Sequence, residues 1–155
     1  MGSRARQKFW TLYKSERKFK DFDPDIDNST DPRFAYFQTC KDENCLPRAS
    51  LLIKDTENPV IDFTNKYLAT SQAANSVAEA VKRYTFPVLA VIFVNNSLKP
   101  RESRVIMESF QHHVGTITTL NLSNNNLNLQ GAEYLASFIP RMRAIKQLYL
   151  NDCHL

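Results

Sequence analysis

Glycine is scarce in this sequence, with three among 155 residues. A phosphate-binding loop uses glycines because backbone N–H groups must approach the phosphate without side chains in the way. The nucleophile-elbow motif G-x-S-x-G, the P-loop and the zinc-protease motif H-E-x-x-H are also missing. The sequence therefore predicts a protein that is not an enzyme and that binds no cofactor.

Cysteine and histidine are also few. Cys40, Cys45 and Cys153 lack the C-x₂-C spacing of a zinc site. His112 and His113 are neighbours on a predicted helix, so their side chains diverge, and we expect both to be solvated at a helix end. The alternating aspartates of residues 21–31 lack the glycine and terminal glutamate of a calcium loop. No metal site is predicted, and the odd, sparse cysteine set favours a reduced, cytoplasmic protein.

Long apolar runs are absent as well. None approaches the roughly 18 residues of a membrane-spanning helix, and no apolar signal region follows Met1. We therefore expect no transmembrane segment. A hydrophobic content of 43% still suits one packed domain.

One apolar spacing is clear between residues 117 and 127, which read ITTLNLSNNNL. Leu120 and Leu122 point inward from one short strand, because side chains in a strand alternate between faces. Asn125 can hydrogen-bond the backbone where the chain turns away, and Leu127 returns to the core. This spacing resembles a leucine-rich repeat, which needs neighbouring copies to bury its apolar face.

Three further copies keep the same phase. Their final apolar residues, together with that of the central copy, are Leu68, Leu98, Leu127 and Leu155. The asparagine position holds Lys66 in the first copy, Asn96 in the second and Cys153 in the fourth. A repeat of 28–30 residues leaves room for a full helix after each strand. The predicted fold is α/β, a leucine-rich repeat solenoid with parallel strands on the concave side and helices on the convex side.

The expected helix boundaries follow from capping residues. Asp31 and Pro32 are typical of a helix start, and this first helix would end before Pro47. In the repeats, Ser71 is expected to cap a helix that runs through Tyr84, Pro100 to open the next, and Gly131 to precede the third. The predicted divisions are an arm at 1–31, a helical N-terminal cap at 32–58 and about three and a half repeats at 59–155.

The arm interleaves basic and aromatic side chains. Residues 1–20 carry a net charge of +6, and residues 21–31 carry −5. Such arms dock on acidic surfaces, with aromatic side chains as anchors, although a plain solvated tail has an equal claim. The candidate contact residues are Arg4, Arg6, Lys8, Phe9, Trp10, Tyr13, Lys14, Lys18 and Lys20.

The concave strand face supplies a second candidate binding surface. Its predicted partner-binding residues are Asp62, Ile92, Val94, Asn121, Tyr149 and Asn151. Ile92 and Val94 are apolar where polar residues would ordinarily meet water, and an exposed apolar patch marks contacts. Burial of this strand by the arm, or a register shifted by one residue, would explain the pair equally well.

Residues 59–155 resemble the ribonuclease-inhibitor-like leucine-rich repeats, with LNLSNNNLNLQGAEYLASFI as the most specific piece. The preceding block, with Tyr36, Cys40 and Pro47, is similar to the segment before the repeats in certain ciliary proteins. That resemblance implies a structural protein of an axoneme, with tubulin or axonemal proteins as partners.

The function expected from these observations is a non-catalytic interaction scaffold in a cilium or another cytoskeletal assembly. Nucleic acid is the weakest partner class. The alternative function is regulation of a GTPase or a nuclease, because leucine-rich repeat regulators of such enzymes share this repeat length. The sequence stops at Leu155, right after a strand and without the helix of that repeat, so we expect further repeats or a partner to cover that end.

Overall fold

The structure is a computed structural model that describes residues 30–45, 47 and 59–155. Within these residues, four α-helices and four three-residue strands alternate along the chain. The helices are α1 (Pro32–Asp42), α2 (Ser71–Val81), α3 (Pro100–Ser109) and α4 (Asn128–Phe138). The strands are β1 (Val60–Asp62), β2 (Ala90–Ile92), β3 (Thr119–Asn121) and β4 (Gln147–Tyr149). Short 3₁₀ turns follow α3 and α4 at Gln111–His113 and Ile139–Arg141.

The strands form one parallel sheet in chain order, β1-β2-β3-β4. Ile61 pairs with Val91, Val91 with Leu120, and Leu120 with Leu148, which is the predicted register. The first three of these side chains are at most 3% exposed. The repeat phase read from the sequence is therefore confirmed for β1, β2 and β3.

The fourth copy differs from the others in burial. Leu148 stands in the inward position but is 40% exposed, and Leu155 is 56% exposed. β1 and β4 are the two edge strands of the described sheet, so their inward side chains each have one strand neighbour where Leu120 has two. Tyr36 and Cys40 of α1 share the core with Ile61 of β1, whereas no described helix follows β4. Cys153 is 2% exposed, as its repeat position predicts.

Two asparagines hold the turns that follow β2 and β3. The Asn125 amide donates to the carbonyls of Phe93, Leu122 and Ser123, at 2.8, 2.7 and 3.3 Å. Its Oδ1 accepts from the backbone N–H groups of Asn96 and Leu98 in the preceding repeat, at 3.1 and 3.0 Å. Each amide thus satisfies buried backbone groups of two successive repeats. These groups lie in turns that have no strand-to-strand hydrogen bonds, so they would otherwise be unpaired.

The same position works differently where asparagine is replaced. The Oδ1 of Asn96 accepts from the N–H of Lys66, so the first repeat is served by its neighbour's side chain. The Cys153 thiol donates to the Leu122 carbonyl at 3.1 Å and thereby takes over one of the donor roles. Cysteine is the fitting substitute because it combines a small apolar side chain with a weak donor.

Helix starts agree with the capping predictions in two of four cases. Asp31 caps α1 by accepting from the N–H of Arg33, and Pro100 opens α3. The prediction for α2 was wrong by one residue, because the Thr70 hydroxyl accepts from Ala73 N–H while the Ser71 hydroxyl donates to Glu102. This helix ends at Val81, and Tyr84 follows in a turn.

Gly131 was predicted to precede the third repeat helix, but it lies inside α4. Its missing side chain is needed there. A Cβ at this position would lie 2.8 Å from the Cβ of Leu127. Leu127 is fully buried, and its Cβ cannot move away unless the backbone moves with it. Gly131 therefore allows the first turn of α4 to approach the loop after β3.

Gly131→Ala is expected to lower the free energy of unfolding by about 1–2 kcal/mol, because overpacking outweighs the gain of about 1 kcal/mol in helix propensity. Gly115 provides the matched control, since nothing lies within 4 Å of a Cβ built there. Gly115→Ala should be neutral or stabilise slightly. Urea unfolding of both variants measures the difference, and equal effects would contradict the close approach.

His113 was expected to be solvated, and that prediction was wrong. Its side chain is 6% exposed, whereas His112 is exposed. Burial lowers the pKa of His113 below the ordinary value of 6.5, and a hydrogen bond to the Tyr84 backbone opposes this only partly. The 3₁₀ turn directs the two neighbouring rings to different environments, so adjacency did not give both the same exposure.

The lowered pKa of His113 predicts a pH-dependent stability. The unfolded chain takes up a proton near pH 6.5 more readily than the folded chain, so the free energy of unfolding should fall as pH drops below about 6.5. His113→Gln should reduce this dependence between pH 7.5 and 5.5. His112→Gln should change it much less, because the His112 charge contributes less than burial to the lowered pKa of His113. Thermal unfolding across that range is the measurement, and an unchanged slope in His113→Gln would refute the assignment.

The first helix packs against α2 and belongs to the same apolar core. Tyr36 and Cys40 join the cluster that contains the inward residues of β1 to β3. At its C-terminal end, the Glu43 carboxylate accepts from the Asn75 amide at 2.8 Å. Residues 48–58, the last part of the predicted N-terminal cap, lie outside the described residues.

Candidate protein-binding face

The strand face is the surface formed by the outward side chains of the four strands and the residues that follow them. Strand pairing aligns Asp62, Ile92, Asn121 and Tyr149 in one row across the sheet. Neighbouring parallel strands lie about 4.8 Å apart, so this row spans roughly 15 Å. The register shift considered from the sequence is excluded for these positions.

The two polar members of the row are held by their own backbone. The Asp62 Oδ1 accepts from the N–H and the hydroxyl of Thr64, at 2.9 and 2.6 Å. The Asn121 Oδ1 accepts from the N–H of Ser123 at 3.0 Å. These contacts fix both side chains at the end of a strand and use acceptor capacity that a partner would otherwise meet.

The other two members of the row present apolar surface. Tyr149 is 40% exposed, and Ile92 is half-buried. Tyrosine combines a large contact area with a polar tip and is typical of interface anchors. Ile92 and Tyr149 are therefore the members of this row that offer apolar surface to a protein partner, next to the exposed Asp62.

A second row of side chains follows the strand ends, and it is only partly exposed. Val94 is half-buried and Asn151 is exposed, while Ser123 between them is 7% exposed. The Ser123 hydroxyl accepts from the N–H of Asn151 at 3.3 Å. Backbone bonds from Asn95 to Ser123 and from Asn124 to Asn151 continue the pairing past the strands. Of this row, Val94 and Asn151 remain as candidate contact residues.

Exposed apolar side chains that were not among the predicted contact residues lie at the start of β1 and in the segment before β2. Val60 and Leu89 are 42% and 44% exposed, and Phe86 close by in sequence is 37% exposed. The Pro59 carbonyl accepts from Leu89 N–H, which brings the segment before β2 against the start of β1. The sequence offered no simple signal for Leu89, because it precedes β2 and alternation counted back from the buried Val91 would have placed it inward.

A cleft of about 420 Å³ opens on the loops that follow the strands. Lys99, Asp152 and His154 line it together with three asparagines. The backbone φ of both Asp152 and His154 is positive, as it is at Asn124, so these loops turn through left-handed residues. The sequence reading did not identify this cleft.

All nine candidate contact residues of the arm, from Arg4 to Lys20, lie outside the described residues, so the arm stays a sequence prediction. Among the residues that the structure describes, no helix is long and apolar enough to span a membrane. In that same part of the chain, no group of three or more histidine, cysteine or acidic side chains is placed to hold a metal ion.

No protein-family model and no curated protein matches this sequence. Among solved structures, the chain is similar to one titled leiomodin-1 actin-binding site 2, with a TM-score of 0.53 and 20% sequence identity. The match covers 65% of this chain and 58% of that one, so this chain spans little more than half of its structural neighbour. At this identity the likeness shows a shared fold. The architecture is a parallel α/β arrangement compatible with leucine-rich repeats.

Proposed function

We propose that this chain is a non-catalytic scaffold that binds other proteins through the strand face. The observation that carries the proposal is the aligned row across the sheet. In that row, the side-chain oxygens of Asp62 and Asn121 accept from backbone N–H groups two residues ahead, while Ile92 and Tyr149 keep apolar surface toward solvent. Polar and apolar side chains thus alternate along the row, and aromatic residues are enriched in protein interfaces.

In this proposal the described elements are the start of a leucine-rich solenoid, with α1 as its N-terminal cap. Three features support it. Strand-to-strand spacing of 28–30 residues recurs, the asparagine side chains link successive repeats, and Tyr36 and Cys40 of α1 extend the same core. A solenoid needs such a cap because each repeat otherwise exposes one apolar face.

The proposed setting is a cytoplasmic cytoskeletal assembly, and in its finer form a ciliary axoneme. The fold likeness to a chain titled as an actin-binding site supports the cytoskeletal setting. The resemblance of the block around Tyr36, Cys40 and Pro47 is what suggests the axoneme. The basic and aromatic residues of 1–20 would supply the second contact, with an acidic filament surface.

The test is co-sedimentation of the full chain with actin filaments and, separately, with microtubules at low and physiological salt. Four proteins are compared: the natural chain, a chain lacking residues 1–31, the double variant Ile92→Ser/Tyr149→Ala, and Leu129→Ser. Leu129 is the matched control because it is an apolar side chain of α4 that is 70% exposed. Far-ultraviolet circular dichroism verifies that each variant is folded.

We expect pelleting with one filament type, weakened about tenfold or more by the double variant and unchanged by Leu129→Ser. Salt-sensitive loss on removal of residues 1–31 would assign the second contact to the arm. Pelleting with neither filament at low salt would refute the cytoskeletal setting. Pelleting that the double variant leaves unchanged would refute the strand face as the binding surface.

A further inference from the structure

The C-terminal end of α1 brings two cysteines together. The N–H of Cys45 donates to the carbonyl of Cys40 at 3.0 Å, and the N–H of Asn44 donates to the carbonyl of Lys41 at 3.3 Å. Asn44 has a φ of 56°, in the left-handed region. These bonds define a Schellman motif, which places the side chain three residues before the cap against the one two residues after it. Those two residues are Cys40 and Cys45.

The two thiols differ in access and in environment. Cys40 is 1% exposed, whereas Cys45 is half-buried, and both are free. The Cys45 Sγ lies 3.4 Å from the Ser76 hydroxyl of α2. The adjacent Cys40 thiol lowers the pKa of Cys45 and Ser76 adds to this effect, whereas burial and the charge of Glu43 oppose it. The neighbouring Cys45 thiol and burial raise the pKa of Cys40. The accessible sulfur is therefore the one whose pKa is lowered.

We propose that Cys45 and Cys40 form a peroxide-reactive dithiol that closes to a disulfide across the end of α1. The Cys45 thiolate attacks one oxygen of hydrogen peroxide, the O–O bond breaks, and hydroxide leaves with Cys45 as sulfenic acid. The Cys40 sulfur then attacks the Cys45 sulfur, and the S–O bond breaks. The thiol proton and the departing hydroxyl form water. Two thiols lose two electrons in all, and peroxide is reduced to two waters.

The cysteine pair supplies the apolar contact of the Schellman motif and, in addition, has the Ser76 hydroxyl beside the accessible sulfur. Cys153 shows what an inert thiol looks like in the same chain. It is 2% exposed, donates to the Leu122 carbonyl, and its pKa is raised by burial. Cys153 is therefore the internal control for reactivity.

The experiment exposes the full reduced chain to hydrogen peroxide, blocks remaining thiols under denaturing conditions, and maps tryptic peptides by mass spectrometry. Lys41 lies between the two cysteines, so trypsin releases them on separate peptides, residues 34–41 and 42–48. A disulfide joins these two peptides, and reduction separates them. In Cys40→Ala, a sulfenic acid on Cys45 has no resolving thiol and should be captured by dimedone.

We expect the joined peptide pair to form at least about tenfold faster than any oxidation of Cys153, and dimedone to label Cys45 in Cys40→Ala. Cys45→Ser should leave Cys40 unoxidised. Asn44→Gly keeps the left-handed turn and should keep the joined pair, whereas Asn44→Val opposes positive φ and should reduce its yield several-fold. Oxidation of Cys45 no faster than Cys153, or labelling of Cys40 instead of Cys45, would overturn the proposal. Equal yields from both Asn44 variants would overturn the turn as the cause of pairing.

Discussion

Replacing Asn125 with alanine is expected to lower the free energy of unfolding by about 3–5 kcal/mol, one of the largest effects of any single substitution in this chain. The side chain is 3% exposed and takes part in five hydrogen bonds with backbone groups of two repeats. Alanine leaves buried carbonyls and N–H groups without protein partners, and one water molecule, which makes about three hydrogen bonds, cannot replace all those of the amide.

Two companion variants sharpen the test of Asn125. Asn125→Asp has nearly the same shape but would direct a carboxylate at three carbonyl oxygens, so it should destabilise at least as much as alanine. Asn126→Ala changes the exposed neighbouring asparagine and should stay within about 0.5 kcal/mol of the natural chain. Equilibrium urea unfolding gives all three values. If Asn125→Ala lowered the free energy of unfolding by less than about 1 kcal/mol, the hydrogen bonds of the Asn125 amide would not be a main source of stability.

Phe93→Ala is the second substitution for which we expect a large effect, a loss of about 3–5 kcal/mol. Phe93 is fully buried and contacts Phe63 and Phe110 edge-to-face, with ring centroids 5.3 and 6.2 Å apart. These three rings join the first repeat to the helix of the second. Removal of the Phe93 ring leaves a cavity that the rigid neighbouring strands cannot close. The cost of this cavity adds to the lost transfer free energy of the ring.

The preceding residue provides the control for Phe93. Ile92 belongs to the same strand segment but faces outward and is half-buried. Ile92→Ala should therefore cost about 1 kcal/mol or less in stability, while it removes contact surface from the strand face. Urea unfolding of both variants gives this comparison. Similar losses at positions 92 and 93 would mean that the strand face is itself covered in the folded chain.

Much of the fold could be predicted because the repeat spacing encodes it locally. Alternation placed Ile61, Val91 and Leu120 in the core, and the common phase of the copies gave the parallel register before any pairing was known. Asp31 and Pro100 correctly predicted the starts of α1 and α3, because the preference for these residues at helix starts depends only on near neighbours. These signals need no information about distant parts of the chain.

The candidate binding face was predictable only in outline. The register placed Asp62, Ile92, Asn121 and Tyr149 in one row, as expected. Which of them offers surface depended on side-chain rotamers that the sequence does not specify. The side-chain oxygens of Asp62 and Asn121 accept from backbone N–H groups two residues ahead. Two further exposed apolar side chains lie beside the row, Val60 at the start of β1 and Leu89 just before β2.

The sequence by itself determined the repeat, its phase and the inward residues, because a period of 28–30 with alternating apolar positions can bury its core in one way. Only the tertiary structure decided features that arise where separate segments meet. His113 became buried, and Leu148 stayed 40% exposed on the edge strand β4. Burial of this kind depends on neighbours that are distant in sequence, so no local pattern contains it. The contacts of Gly131 with Leu127 and of Cys40 with Cys45 are local, but they depend on backbone conformation, such as the left-handed residue Asn44, that the apolar pattern does not specify.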